Sequence, residues 1–250
     1  GPYRGTARLG DRRAEAGGAG VIGRLALLVA ALFAGAAGGA ERRMLAEDEA
    51  HVYRAVGRLN IEGARFCSAT LISERLVLTA AHCLYHPLSR RVVAPDALTF
   101  VAGQRRDSYA AVREVARLAV MPGFHFDPEA DLDNVAEDIA LLELAAPVEA
   151  GSVAPFPVGQ LRDGAPLRIV SYSKDRAYAP SIAGPCPSFV SGGLVVLGCG
   201  INWGASGAPV LAEVGGRTRV VAIVSAMTRR AGRAGVAATT RRVVRSGDAL

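Results

Sequence analysis

Residues 76–83 read LVLTAAHC, an apolar run that passes through small residues to His82 and Cys83. Leucine and valine in a short run indicate a β-strand, and the small residues after it indicate a turn. A histidine presented at the end of a strand can accept and return a proton near neutral pH. This stretch therefore predicts a β-rich fold with a candidate catalytic histidine, His82.

Two other segments carry residues that complete such chemistry. Residues 138–144, DIALLEL, place Asp138 directly before an apolar strand, and residues 203–210, WGASGAPV, place Ser206 in a tight turn between two glycines. A serine hydroxyl needs an adjacent base to become a nucleophile, and a buried carboxylate holds that base in the correct tautomer. Asp138, Ser206 and His82 are therefore candidate catalytic residues that only tertiary folding can bring together.

Each of these residues also has a plain structural interpretation. His82 alone is compatible with an ordinary buried histidine, Asp138 with a strand cap and Ser206 with a turn residue. The order His, Asp, Ser argues against an α/β-hydrolase, in which the serine comes first and the histidine last. The combination of the three segments carries the catalytic prediction.

The chain after Glu41 consists of short apolar runs separated by clusters of turn residues. Candidate strands cover residues 55–59, 67–72, 76–79, 98–102, 112–120, 139–144, 167–171, 194–198, 209–214 and 219–225. Many short strands with regular turns predict an all-β sandwich or barrel. Residues 146–165, with several prolines in and around them, are the best linker. We therefore expect two halves, each a β-barrel: residues 41–150 with His82 and Asp138, and residues 151–250 with Ser206.

Residues 1–40 have the pattern of a leader followed by a signal peptide. Arg24 precedes a short apolar stretch, residues 25–33, and small residues fill positions 34–40. This order is typical of secretory signal peptides, and the apolar stretch is shorter than the roughly 20 residues of a membrane span. The predicted location is secreted or periplasmic. An uncleaved membrane anchor is the alternative, so a membrane is an expected partner only if the segment is retained.

The charge balance bears on possible partners. The chain has 29 basic and 23 acidic residues, a formal net charge of +6, and five arginines against two acids in residues 1–40 supply half of this excess. The remainder of the chain is close to neutral, which gives little reason to expect nucleic-acid binding. The sequence predicts no particular oligomeric state.

Four cysteines favour two disulfides in an exported chain. The simplest pairing joins neighbours in the sequence, Cys67–Cys83 and Cys186–Cys199. A zinc site is the alternative, with a ligand set of Cys67, His82, Cys83 and His86. Adjacent residues such as His82 and Cys83 rarely point at one ion, and no C-x-x-C pair is present, so no metal is expected.

Five motifs of the chain resemble those of the trypsin-like, chymotrypsin-fold serine peptidases. The matching stretches are CSATLIS (residues 67–73), TAAHC (79–83), DIALL (138–142), GASGAP (204–209) and IVSA (223–226). The likeness covers roughly residues 50–240. It implies two packed six-stranded antiparallel β-barrels with the active site in the cleft between them. It also implies an endopeptidase that hydrolyses protein or peptide substrates through an acyl-enzyme and needs no cofactor.

The resemblance also assigns roles to residues around the triad. The backbone N–H groups of Gly204 and Ser206 would form the oxyanion hole, where one donor contributes about 3 kcal/mol of transition-state stabilisation. Ser225 would support Asp138 and line the substrate cleft. The disulfide next to the histidine would join Cys67 to the residue that follows it.

One departure from the family concerns activation. Digestive and clotting members have an aspartate at the position of Ala205, and it pairs with the α-amino group that zymogen cleavage creates. Ala205 cannot form this ion pair, so activation by that route is not expected. Ala205, Ala208 and the spacing of Cys186 and Cys199 are more similar to bacterial secreted members, including the glutamyl-endopeptidase-like branch.

Other departures concern the substrate pocket, for which we select Gly200, Ser225 and Met227. Gly200 stands where members that cleave after Arg or Lys have an aspartate, and a buried cation there would lack a partner. Val224 replaces the histidine of the glutamyl-specific branch, and Met227 replaces a common wall glycine. The pocket is therefore expected to accept small or medium apolar side chains.

Two other functions are compatible with the same motifs. A catalytically silent homologue would bind a protein partner through the cleft, although such a protein has no need to keep all three triad residues. An esterase would use the same acyl-enzyme chemistry.

Overall fold

The computed structural model describes residues 41–127, 132–191, 193–227 and 234–240, and only the backbone of residues 226, 227, 234 and 235. The expected leader and signal peptide lie outside the described residues. The strands are β1 (Arg43–Met44), β2 (Val56–Ile61), β3 (Arg65–Leu71), β4 (Leu76–Thr79), β5 (Leu98–Ala102), β6 (Ala111–Val120), β7 (Ala140–Leu144), β8 (Leu167–Ser173), β9 (Arg176–Cys186), β10 (Ser188–Ser191), β11 (Leu194–Gly200), β12 (Pro209–Val214), β13 (Arg217–Met227) and β14 (Ala234–Thr239). Two short α-helices, α1 (Glu47–Ala50) and α2 (Leu132–Ala136), and three 3₁₀ turns, His51–Tyr53, Ala81–Leu84 and Pro95–Ala97, complete the elements. The predicted all-β class is confirmed.

Six strands form a closed antiparallel barrel in the order β2-β3-β4-β7-β6-β5. Its interior is filled by large aliphatic and aromatic side chains that are fully buried, among them Leu59, Leu78, Phe100 and Leu142. Gly57 of β2 lies against the Phe100 ring, where an added Cβ would approach the ring to 2.4 Å. A glycine is needed at this close approach of two strands, which lets the barrel close around its core.

The other strands form an eight-stranded sheet in the order β1-β9-β8-β12-β13-β14-β11-β10. It curls into a half-barrel, so the chain has the chymotrypsin fold. The strand count exceeds the six that were expected because a short strand is added at each end. At one end β1 pairs with β9, with Arg43 opposite Ile182, and at the other end β10 pairs with β11.

The closed barrel and the half-barrel pack against each other through β3 and β8. Tyr172 of β8 is fully buried and belongs to the same apolar core as Leu59 of the closed barrel. Its backbone N–H donates to Ser68 Oγ of β3 at 2.9 Å. This contact fixes the edge along which the candidate site is built. The expected division between residues 150 and 151 stays a prediction.

No helix within the described part of the chain is both long enough and apolar enough to cross a membrane.

Candidate active site

His82 and Asp138 are brought together by neighbouring strands. β4 leads directly into the 3₁₀ turn that carries His82, Asp138 comes just before β7, and Thr79 of β4 lies opposite Ala140 of β7. The imidazole Nδ1 is 2.6 Å from Asp138 Oδ2, and the backbone N–H of His82 donates to Asp138 Oδ1 at 2.8 Å. The carboxylate therefore fixes both the ring and the backbone of the histidine.

The two groups shift each other's protonation. Burial alone would raise the pKa of the Asp138 carboxyl, but the charge and hydrogen bonds of His82 outweigh burial and hold that pKa below its ordinary value. Burial alone would lower the pKa of His82, and the Asp138 carboxylate outweighs it and raises that pKa. Because Asp138 is ionised, Nδ1 of the neutral ring carries the proton and donates to it, which leaves Nε2 free to accept one.

Ser225 connects the carboxylate to the half-barrel. It lies on β13, and its hydroxyl donates a short hydrogen bond to Asp138 Oδ2. Asp138 is only 2% exposed, so its charge needs several donors to remain stable inside the protein. The buried carboxylate thus receives hydrogen bonds from both halves of the fold.

Ser206 lies in the loop of residues 201–208 between β11 and β12, which we call the serine loop. Its carbonyl accepts a hydrogen bond from Ser68 N at 2.8 Å, and the next residue, Gly207, donates through its N–H to Val224 O at 2.8 Å. At Gly207, with φ +78°, an added Cβ would lie 2.3 Å from Thr79 Oγ1, just before the histidine turn. Ser206 is therefore held beside the strand end that carries His82.

Within the part of the chain that the structure describes, the Ser206 hydroxyl has no hydrogen-bond partner. Among the described residues, no hydrogen bond joins Ser206 Oγ to His82 Nε2 or to another side chain. Catalytic hydrogen bonds are often long without substrate and tighten when it binds. The geometry therefore brings His82 and the Asp138 carboxylate into contact and places the loop of Ser206, the candidate nucleophile, beside them.

From Trp203 to Gly207, backbone N–H groups alternate between bonded and free with respect to the described residues. Ala205 N donates to Asn202 O at 3.0 Å and Gly207 N donates to Val224 O. Within the described ranges, the N–H groups of Gly204 and Ser206 have no acceptor. Two free donors, one of them on Ser206 itself, can bind the negatively charged oxygen of a tetrahedral intermediate.

Both pairs of cysteines form disulfides, Cys67–Cys83 and Cys186–Cys199, with Cα–Cα distances of 6.3 and 5.2 Å. Cys67, His82 and Cys83 form a group with metal-ligand atoms close together, but the disulfide uses both sulfurs. His86, the remaining member of the zinc alternative, accepts backbone hydrogen bonds from Leu88 and Ser89 at its Nδ1. The alternative of a zinc site is therefore not supported.

The residues selected for the substrate pocket lie on two strands near the serine loop. Gly200 ends β11, and an added Cβ there would meet nothing within 4 Å. Met227 ends β13, and its side chain is outside the described residues. Trp203, directly before Gly204, is 63% exposed. An exposed indole beside two free N–H groups offers an apolar contact to a substrate.

Sequence reasoning missed one residue of the site, Ser68. It is fully buried in β3, and its hydroxyl lies 3.2 Å from Gly204 O and 2.9 Å from Tyr172 N. Its only sequence signal is a hydroxyl directly after Cys67, and its partners lie more than a hundred residues away.

Comparison with known proteins agrees with this fold. A sequence model of the family described as Trypsin matches residues 45–245. The chain belongs to the trypsin family. An 88-residue stretch is 31% identical to Limulus clotting factor C of Carcinoscorpius rotundicauda and, equally, to clotting factor C of Tachypleus tridentatus. The matched stretch is 33% of this chain and 8% of each relative.

Among solved structures, one titled as a Glu endopeptidase in complex with MPD is similar, with a TM-score of 0.69. It is 18% identical in sequence, and the match covers 83% of this chain and 95% of that one. The likeness shows that this member of the trypsin family shares the fold of that protein. It does not transfer a substrate preference.

Proposed function

We propose that this chain is a secreted serine endopeptidase that works through an acyl-enzyme with the triad His82, Asp138 and Ser206. The observation that carries the proposal is the hydrogen bond between His82 Nδ1 and Asp138 Oδ2, 2.6 Å long, at a site where the serine loop supplies two free N–H groups. A base, its orienting carboxylate, a nucleophile and oxyanion donors are the parts that acyl transfer needs.

Each residue of the proposed triad acts in a defined step of the reaction. His82 Nε2 takes the proton of Ser206 Oγ as the oxygen attacks the scissile carbonyl, and Asp138 stabilises the imidazolium that results. The N–H groups of Gly204 and Ser206 bind the oxyanion. The imidazolium then gives its proton to the leaving amine, and water, activated by the same imidazole, hydrolyses the ester on Ser206. These steps use protein groups and water, so the chemistry requires no cofactor.

The proposed substrates are proteins or peptides with a small or medium apolar side chain before the scissile bond. Gly200 leaves open space without a charge, and Val224 is buried and apolar. A pocket with these residues has no partner for a basic or acidic side chain, and burying an unpaired charge is costly. Ser225 and Met227 complete the proposed pocket from β13.

The proposed location is outside the cytoplasm. Two disulfides persist best in an oxidising compartment, and every cysteine of the chain is in one of them. Together with the signal-peptide pattern of residues 1–40, they favour a secreted or periplasmic protein. A retained segment would instead attach it to a membrane.

The test is cleavage of a mixed peptide library by the parent chain and by Ser206→Ala. Cleavage by the parent alone, after small or medium apolar residues, is the expected result. Labelling of Ser206 by a fluorophosphonate in the folded parent supports the nucleophile independently. A folded parent that neither cleaves nor becomes labelled would favour a silent, partner-binding homologue, and activity on matched esters without amide cleavage would favour an esterase.

A further inference from the structure

Arg42 lies just before β1, and its side chain turns into the half-barrel. Its Nη1 donates to Ser173 Oγ at 2.7 Å and lies 3.4 Å from Ser181 Oγ. Its Nη2 forms a short ion pair with the Asp175 carboxylate. The side chain is 15% exposed, so the guanidinium is committed to these partners rather than to solvent. An arginine that uses both amino groups in this way fixes geometry as well as charge.

Asp175 is the centre of this network. Its Oδ1 accepts a hydrogen bond from Ser173 Oγ at 2.7 Å. The Arg42 guanidinium, with smaller contributions from the Ser173 hydroxyl and the Asn202 side chain, holds the pKa of this carboxyl well below its usual range. The carboxylate therefore stays ionised at neutral pH, and with Ser173 it ties Arg42 to the turn between β8 and β9.

The loop that holds the Gly204 and Ser206 N–H groups is fixed on both sides of Trp203 by hydrogen bonds. Its Oδ1 accepts from Trp203 N at 2.9 Å, and its carbonyl accepts from Ala205 N at 3.0 Å. Trp203 O accepts from Lys174 N at 2.7 Å. The turn that Arg42 binds at Ser173 and Asp175 thus holds the carbonyl of the Trp203–Gly204 peptide through the Lys174 N–H.

Side chains of the serine loop itself contribute little to fixing Gly204. Ala205 has no polar side-chain atom, and Gly204 adopts φ +95°, a region open to a flexible glycine. Trp203 is exposed and packs little. The direction of the Gly204 N–H consequently depends on hydrogen bonds made by neighbouring residues.

We propose that Arg42 is a positioning residue which, through Asp175 and the Lys174 N–H, holds the Trp203–Gly204 peptide so that the Gly204 N–H faces the oxyanion. The segment before β1 is thereby coupled to the serine loop. This inference rests on the proposed function for its catalytic consequence, whereas the coupling itself is a structural property. Losing one oxyanion donor lowers kcat by about 100- to 1,000-fold, so partial misplacement should lower kcat by at least about 10-fold.

The kinetic test compares Arg42→Met, Arg42→Lys and Arg43→Met in the full 250-residue chain. Arg43 is the matched control, because it is the adjacent arginine but pairs with Glu49 on the surface. We expect Arg42→Met to lower kcat at least about 10-fold with little change in KM. Inhibition by a peptide aldehyde, whose hemiacetal oxygen needs the oxyanion donors, should weaken by the same factor as kcat. Arg42→Lys keeps the charge beside Asp175 and should restore most of kcat, and Arg43→Met should match the parent.

Hydrogen exchange of peptides covering residues 202–207 gives a readout that needs no activity. Arg42→Met should increase exchange there, and Arg43→Met should not. If the parent proves inactive, the proposed function fails, but the exchange experiment still decides the coupling. Equal exchange in the Arg42 and Arg43 variants, or equal kcat in an active enzyme, would overturn the inference. Should Arg42→Met fail to fold, Asp175→Asn, judged by the same two results, takes its place.

Discussion

The backbone N–H of Ser68 donates a hydrogen bond to the carbonyl oxygen of Ser206, with the two atoms 2.8 Å apart. The bond joins β3 of the closed barrel to the loop of the nucleophile. Cys67, the residue before Ser68, is joined by a disulfide to Cys83, the residue after His82. The position of Ser206 relative to His82 is therefore set through the dipeptide Cys67–Ser68.

Replacing Ser68 by alanine should destabilise the protein. Its fully buried hydroxyl accepts from Tyr172 N at 2.9 Å and lies 3.2 Å from Gly204 O. Leaving a buried donor without a partner costs about 1–3 kcal/mol, and the free energy of unfolding measured with urea should fall by this amount. Alanine at the exposed Ser188 is the control and should change it by less than about 0.5 kcal/mol. Equal effects of the two substitutions would refute the role of Ser68.

Replacing Gly207 by alanine should disrupt the site. An added Cβ would lie 2.2 Å from Ser68 O and 2.3 Å from Thr79 Oγ1, and the backbone has φ +78°. The loop must shift, so we expect a loss of more than about 3 kcal/mol in unfolding free energy from overpacking plus backbone strain, with a large fall in fluorophosphonate labelling.

Gly215 provides the matched control for this substitution. It has a similar φ, +62°, but an added Cβ there meets nothing within 4 Å. Gly215→Ala should therefore cost only the backbone strain, about 1–2 kcal/mol, and leave labelling unchanged. A Gly207→Ala variant that behaves like Gly215→Ala would show that the loop does not need this close approach.

Removing either disulfide should lower the stability of the protein by a similar amount, whereas only one removal should strongly lower activity. The two bridges close loops of similar length, with sequence separations of 16 and 13, so each paired Cys→Ala variant should lose about 3 kcal/mol in unfolding free energy. Loss of Cys67–Cys83 should also lower kcat, because that bridge holds the residue next to His82. Loss of Cys186–Cys199 should leave kcat closer to that of the parent. Melting curves check the stability of each variant, and kinetic assays well below the melting transition check kcat. The reverse order of kcat values would contradict the prediction.

Local patterns predicted the strands that build the site. The run at residues 76–79 matches β4 (Leu76–Thr79), that at 139–144 differs from β7 (Ala140–Leu144) by one residue, and that at 209–214 matches β12 (Pro209–Val214). These strands are short and mainly apolar, so their composition carries the signal.

Local sequence patterns did not predict the strands of mixed composition. β9 (Arg176–Cys186) contains two prolines and a glycine, which normally argue against a strand. β14 (Ala234–Thr239) is rich in alanine and glycine, which have low β-propensity. β1 has two residues and no pattern at all. These strands form because a neighbouring strand offers hydrogen bonds, and sequence periodicity does not encode that pairing. The network around Arg42 was not predicted either, because its partner Asp175 is 133 residues away and local sequence patterns do not encode such contacts.

The protonation of His82 should set the acidic limit of activity. Only the neutral imidazole can accept the proton of Ser206, and the Asp138 carboxylate raises the pKa of His82 above 6.5 despite burial. As the pH falls through this raised pKa, kcat/KM should fall, so the midpoint of the acid limb should lie above pH 6.5.

Asp138→Asn reverses the sign of this shift. The substitution removes the charge that raises the pKa of His82, while the burial that lowers it remains, so the imidazole should titrate below pH 6.5. The asparagine also favours the wrong tautomer, and kcat should fall about 10,000-fold. Titration of the imidazole by NMR checks the shift directly, with the other three histidines as references in the same spectra. A His82 resonance that titrates at the same pH in the parent and in Asp138→Asn would show that the carboxylate does not control the base.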